Sequence, residues 1–238
     1  MTGERFEQAP RLSERLAALV DMVPPCDCAA DIGADHGYTS ARLLALDRCR
    51  RVWVADISDK ALARAKANLT RLGFADRARF VCGDGFHALA EPVDAALIAG
   101  MGARTIVDIL DDGVNILERL NHPILVISPN RDPELVRYWL DAHGYSVVVE
   151  RVVRSDGRWY PIIRAEYSGN ALNPSDRRAL YLGLTAVQPL SDDARAYWAW
   201  RLGVLTEMLP GVGKVAKDQR QALFDQIAWI KEVLGIPD

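Results

Sequence analysis

The chain has 238 residues and a mass of 26.3 kDa, with half of its residues hydrophobic and 26% charged, which supplies a sizeable core and excludes a disordered or cysteine-stapled module. Lys and Arg number 29 against 32 Asp and Glu, for a formal net charge of -3 and a pI of about 5.9, so bulk charge does not attract nucleic acid, although a local basic patch stays open. Cys26, Cys28, Cys49 and Cys82 have neither redox nor zinc spacing, the four histidines (His36, His87, His122, His143) show no paired spacing, and no run approaches the ~18 apolar residues of a membrane span. A cytoplasmic protein with free thiols, no membrane contact and no metal is expected.

Leu12, Leu16, Leu19 and Val20 recur at helical spacing before Pro24-Pro25 stops them. Short apolar strands then alternate with helices. Cys28 to Ile32, Val52 to Ala55, Arg79 to Cys82, Ala95 to Ala99 and Ile124 to Ser128 read as strands. Tyr38 to Leu46, Lys60 to Leu72, Thr105 to Leu120 and Glu134 to His143 read as helices. Tyr145 to Val153 and Trp159 to Tyr167 flank Ser155-Asp156-Gly157 and read as a terminal hairpin. Strands apolar throughout bury both faces, so the pattern predicts an α/β fold: a doubly wound, Rossmann-like parallel sheet with an antiparallel hairpin at its edge. After Asn170 the pattern changes. A helical stretch opens at Pro174-Ser175. Trp198, Leu202, Leu205 and Leu209 then share one helical face, Pro210-Gly211-Val212-Gly213 breaks the run, and Leu223, Ile227, Ile230 and Leu234 share the next, which predicts a helical hairpin.

Ligands of doubly wound sheets sit beyond the carboxyl ends of the strands, so the loops there carry the chemistry. The first, residues 30–38, has Asp31 before its glycine, Gly33, and Asp35 where a dinucleotide turn would have another glycine. Two carboxylates repel a pyrophosphate and suit a cationic ligand such as S-adenosylmethionine, with its ammonium and sulfonium. Asp56, followed by Ile57, ends the second strand where an acid can accept both ribose hydroxyls, although the same residue could simply cap the next helix. Gly83-Asp84-Gly85-Phe86 can set a carboxylate beside an adenine amino group and an aromatic near its ring. In Ala99-Gly100-Met101-Gly102 the glycines let the backbone approach a ligand, and Arg104 can reach a phosphate.

The run Leu12-Ser13-Glu14-Arg15-Leu16, the first loop, Gly83-Asp84-Gly85 and Ile98-Ala99-Gly100-Met101-Gly102 resemble the bacterial tRNA (adenine-22-N1)-methyltransferases. Ser128-Pro129-Asn130, Trp139-Leu140, His143-Gly144-Tyr145 and Gly157-Arg158-Trp159-Tyr160 extend the likeness more weakly over most of the first 170 residues. The resemblance implies a class I S-adenosylmethionine-dependent domain over residues 1–170 and a helical-hairpin domain over 171–238. It implies methyl transfer to N1 of an adenine in tRNA, with S-adenosylhomocysteine as the cofactor product. Asp31, Gly33, Asp56 and Asp84 would then contact the cofactor, joined by Asp35, Ile57, Gly85, Ala99, Gly100 and Met101. Asp35 would be the acid at the catalytic face, with His36 and Tyr38 beside it. The chain departs from the family pattern at Ala34, Thr39-Ser40, Asp56, Ala103 and Ser128. Arg48, Arg50 and Arg51, or Arg151, Arg154 and Arg158, or Arg5, Arg11 and Arg15, could meet an RNA backbone. A methyltransferase for a protein or small molecule and a non-catalytic nucleotide-binding domain are the competing readings, and the oligomeric state is left open.

Overall fold

The computed structural model describes residues 10–169, 177–209 and 217–237. Arg5, the expected boundary at 170/171, the helix start at Pro174-Ser175 and the break at Pro210 to Gly213 lie outside these described residues. In chain order the elements are α1 (Glu14–Asp21), β1 (Cys26–Ile32), α2 (Tyr38–Ala45), β2 (Cys49–Asp56), α3 (Asp59–Arg71), β3 (Ala78–Cys82), β4 (Ala95–Ala99), α4 (Ala103–Asp112), α5 (Val114–Arg119), β5 (Ile124–Ser128), α6 (Pro133–Ala142), β6 (Tyr145–Ser155), β7 (Arg158–Tyr167), α7 (Arg177–Leu182), α8 (Asp192–Met208) and α9 (Lys217–Leu234). Serine hydroxyls open three of the helices: Ser13, Ser58 and Ser191 accept from the N–H groups of Leu16, Ala61 and Ala194.

The sheet has seven strands in the order β3-β2-β1-β4-β5-β7-β6. The pairs among β1 to β5 are parallel, and β7 runs antiparallel between β5 and β6. Each face carries its own core. Ala30, Ile32, Ala96, Ile98 and Ile127 point to one side with Phe86, Ile106, Leu110 and Trp139. Ala29, Val52, Val54, Leu97 and Val126 point to the other with Leu19, Leu43, Leu44 and Leu69. Strands buried on both faces explain the continuous apolar runs in the sequence.

Two expectations shift at their edges. The single helix expected over Thr105 to Leu120 is two helices, α4 and α5, meeting at Gly113. A Cβ there would lie 2.7 Å from the Phe86 ring, so the close approach of the ring to bare backbone marks the joint. β1 and β2 begin at Cys26 and Cys49, ahead of their apolar runs, because Cys26 pairs with Cys49 and the exposed Arg51 with Cys28 in the ladder.

The helices after residue 177 pack on the sheet edge. Tyr181, Trp198, Leu205, Leu223 and Ile230 share a third core with Val152 of β6, and Trp159 of β7 packs against it. Arg137 of α6 is the polar centre of this joint. It donates to Glu150 Oε1 from Nε at 3.0 Å and Nη2 at 2.6 Å, and from Nη1 to the carbonyls of Leu180 and Tyr181 at 2.9 and 2.7 Å. Glu150 Oε2 accepts from the Leu184 N–H at 2.7 Å. Both side chains are almost fully buried, at 2% and 0% exposure, so each charge depends on the other. Glu150→Gln should therefore destabilise the protein by about 3 kcal/mol or more, read by urea denaturation, because it leaves a buried guanidinium uncompensated.

Candidate active site

Two cavities open beyond the carboxyl ends of the central strands. One, of about 500 Å³, is lined by Ile32, Gly33, Asp56, Ile57, Asp84, Gly85 and Met101, with Thr105, Asp108, Ile109 and Asp112 of α4 as its far wall. The other, of about 290 Å³, is lined by Arg15, Asp31, Gly33, Asp35, His36, Tyr38, Ala99 and Gly100, with Ser155, Asp156 and Tyr160 from the β6–β7 hairpin. Gly33 borders both. Its φ of +74° is the left-handed conformation that glycine adopts freely, and a Cβ there would meet the Met101 methyl.

The acids hold the loops in shape. Asp31 is buried, and its Oδ2 accepts from the Ser40 hydroxyl at 2.6 Å and the Ser40 N–H at 3.1 Å. Burial pushes its carboxyl up to about 6, with the Ser40 bonds opposing and the charge of Asp56 adding. Asp56 ties two loops together, since Oδ1 accepts from the Ser58 N–H at 2.9 Å and Oδ2 from the Asp35 N–H at 3.0 Å. Asp35 itself has φ of +44°, a conformation uncommon outside glycine, at the edge of the smaller cavity. Its exposed carboxylate meets Arg64 at 2.8 Å and His36 Nε2 at 3.4 Å, and the His36 ring stacks on Tyr38 with centroids 5.7 Å apart. Asn130 fixes the fourth loop by donating from its backbone to the Met101 carbonyl and from Nδ2 to the Gly100 carbonyl.

Each residue singled out from the four loops borders one of the two cavities. Phe86, Gly102 and Arg104 are the exceptions. Arg104 is exposed in the first turn of α4 and lines neither cavity. Phe86 is fully buried in the core, because the turn over Gly85–Ala88 rotates its ring inward, and Ile57 and Ile109 supply the apolar wall instead. Arg48, Arg50 and Arg51 stand at the start of β2, the opposite end of the sheet, and pair with Asp21 and Asp27, so they cannot flank the site. Arg154 and Arg158 do flank it, at the hairpin turn. The face of α4 that lines the larger cavity, Thr105, Asp108, Ile109 and Asp112, is not among the residues the strand-end loops point to, although it keeps helical i, i+3, i+4, i+7 spacing. Among the described residues no cluster of His, Cys, Asp and Glu could hold a metal, and no helix is long and apolar enough to cross a membrane.

The donor set fits a cationic nucleoside. The larger cavity sets four carboxylates, Asp56, Asp84, Asp108 and Asp112, around the exposed Ile57 at its rim, and the smaller one holds a buried acid that a cation would relieve. Because Asp31 titrates above its ordinary 3.8, its ionisation opposes folding. That cost is fully present above about pH 6 and is relieved as the pH falls from there toward 3.8. Asp31→Asn keeps the acceptor for Ser40 and removes the charge, so it should stabilise the ligand-free protein by up to about 3 kcal/mol at neutral pH and hardly at all near pH 4, read by thermal melting at both.

Comparison with known proteins follows this geometry. The tRNA (adenine(22)-N(1))-methyltransferase of Bacillus subtilis is 28% identical over 176 residues, 74% of this chain and 70% of that protein. Sp1610 of Streptococcus pneumoniae, described as a candidate tRNA (m1A22) methyltransferase and solved in complex with S-adenosyl-L-methionine, superposes with a TM-score of 0.80 at 26% identity, covering 94% of this chain and 100% of that one. The M. capricolum TrmK structure, holding S-adenosyl-homocysteine, shares the fold with a TM-score of 0.79 at 19% identity over 94% of this chain and 98% of that one. Residues 12–163, which include every residue lining the two cavities, match the methyltransferase domain family, and the chain belongs to that family.

Proposed function

We propose that this protein transfers the methyl group of S-adenosylmethionine to N1 of an adenine in tRNA, the position-22 reaction named for its B. subtilis relative. Residues 1–170 form the catalytic domain in this reading, residues 171–238 the helical-hairpin domain, and the cytoplasm is where the enzyme meets its substrate. The observation that carries it is the meeting of two cavities at Gly33, one shaped for a nucleoside and one open to the rim of the sheet. That rim carries Arg104, Arg131, Arg154 and Arg158, exposed and without ion pairs among the described residues, which favours a polyanionic acceptor over a protein or small molecule.

Bound S-adenosylmethionine supplies an electrophilic methyl group on a sulfonium. Asp31 takes the ammonium, Asp56 the ribose hydroxyls and Asp84 the adenine amino group, while Gly33, Gly85, Ala99, Gly100 and Met101 let backbone and thioether line the contact. The acceptor base, unstacked from the RNA, enters the smaller cavity, where Tyr38 backed by His36 offers it a flat face. N1 has a free lone pair, so no general base is needed. The product is a cation, and Asp35 favours its formation by accepting from the N6 amino group as positive charge develops.

Mass-spectrometric mapping of tRNA from cells with and without the gene should show 1-methyladenosine at position 22 only when the gene is present. An unchanged map would overturn the assignment. Asp35→Asn, assayed by single-turnover methylation of purified tRNA at saturating cofactor, should lose about tenfold or more in rate, roughly 1.4 kcal/mol of barrier per factor of ten, with cofactor affinity nearly intact.

A further inference from the structure

Arg15 is not a surface arginine. It reaches from α1 to the end of β5, where Nε donates to Ser128 Oγ at 3.2 Å and Nη2 to the Ser128 carbonyl at 2.9 Å. Its guanidinium carbon lies 4.3 Å from the centre of the Tyr160 ring. Ser128 is fully buried, so the guanidinium is clamped against the sheet. These partners are neutral, and Arg15 makes no ion pair among the described residues. Desolvation accordingly pulls its pKa down. Burying a charge without a counter-charge is costly, and the guanidinium has five N–H donors of which Ser128 uses two.

The cation and the buried acid Asp31 line one cavity without pairing with each other. Each is fixed by a serine, Arg15 by Ser128 and Asp31 by Ser40. The other basic side chain of this cavity, His36, faces Asp35. Two opposite charges held apart in one pocket fit a ligand that carries both.

We propose that Arg15 is the oxyanion-binding residue of the smaller cavity and takes the α-carboxylate at the methionine end of the cofactor. The assignment rests on the S-adenosylmethionine reading, in which Asp31 takes the ammonium on the same carbon. A phosphate of the unstacked acceptor nucleotide has the same chemistry and is the second source of the anion. In either case Arg15 acts inside the site, at the cofactor or the flipped nucleotide, and not as a contact along the outer RNA backbone.

Calorimetry on the intact protein distinguishes the sources, using S-adenosylhomocysteine, its decarboxylated analogue S-adenosyl-3-thiopropylamine, and 5'-methylthioadenosine. The unaltered protein should bind S-adenosylhomocysteine about tenfold or more tightly than the decarboxylated analogue, as expected for a charged hydrogen-bonded contact. Arg15→Gln should abolish that difference by weakening S-adenosylhomocysteine alone, Arg15→Lys should recover part of it, and 5'-methylthioadenosine should bind all three proteins alike. Weakened tRNA binding with unchanged S-adenosylhomocysteine affinity in Arg15→Gln would assign the anion to the phosphate. Unchanged affinity for both overturns the proposal. If Arg15→Gln does not fold, equal affinity of the unaltered protein for S-adenosylhomocysteine and its decarboxylated analogue overturns the carboxylate assignment. Failure of the unaltered protein to bind either S-adenosylhomocysteine or 5'-methylthioadenosine overturns the cofactor reading itself.

Discussion

The site depends on where the chain reverses its direction of travel across the sheet. β1 lies inside the sheet, with β2 on one side and β4 on the other, so the loops leaving β1 and β4 diverge to opposite faces and open a crevice between them. Gly33 sits at that divergence, which is why both cavities border it. Neighbouring strands bring Asp56, Asp84 and the Gly100 loop to the same end without any long-range device, since parallel pairing aligns all their carboxyl termini. The price is polar, and it is concentrated on Asp31, a carboxylate held in a buried position against its own solvation.

The loop residues were legible because each lies within a few positions of a strand end, and a strand end is visible wherever an apolar run stops at glycine and aspartate. Asp31, Gly33 and Asp35 could be read as a unit for that reason, and Asp35 stands in a left-handed conformation that matches the glycine usual at its place. Direction was harder. Nothing local says that Phe86 turns inward one residue after Gly85, or that Arg50 and Arg51 begin a strand whose far end carries the site. Arg15, Ser155, Asp156 and Tyr160 reach the cavity from elements distant in sequence, and only the folded sheet brings them beside the first loop. The α4 face had the right spacing, but an amphipathic helix with one face on a core and another on a cavity looks the same in sequence as one facing water.

The electrostatics of the two cavities differ in kind. In the larger one the carboxylates of Asp56 and Asp84 are solvent-accessible at the strand ends, where water can support them until a ligand replaces it. In the smaller one Asp31 and Arg15 are desolvated separately and held by neutral hydroxyl and carbonyl groups. Such fixed, incompletely compensated charges cost the fold stability and need no rearrangement when a ligand arrives, the usual exchange in a preorganised site.

The joint at Arg137 sets how the molecule comes apart. Its guanidinium reaches forward 13 residues to Glu150 and 43 and 44 residues to the carbonyls of Leu180 and Tyr181. Glu150 in turn holds the Leu184 amide. Lifting the C-terminal helices away would admit water to an ion pair inside the sheet edge and strip Val152 of its cover, so neither side can open alone at low cost. The amides of β6 and of the helices docked on it therefore belong to one cooperative unit of hydrogen exchange, although the sequence divides them into two regions of different pattern.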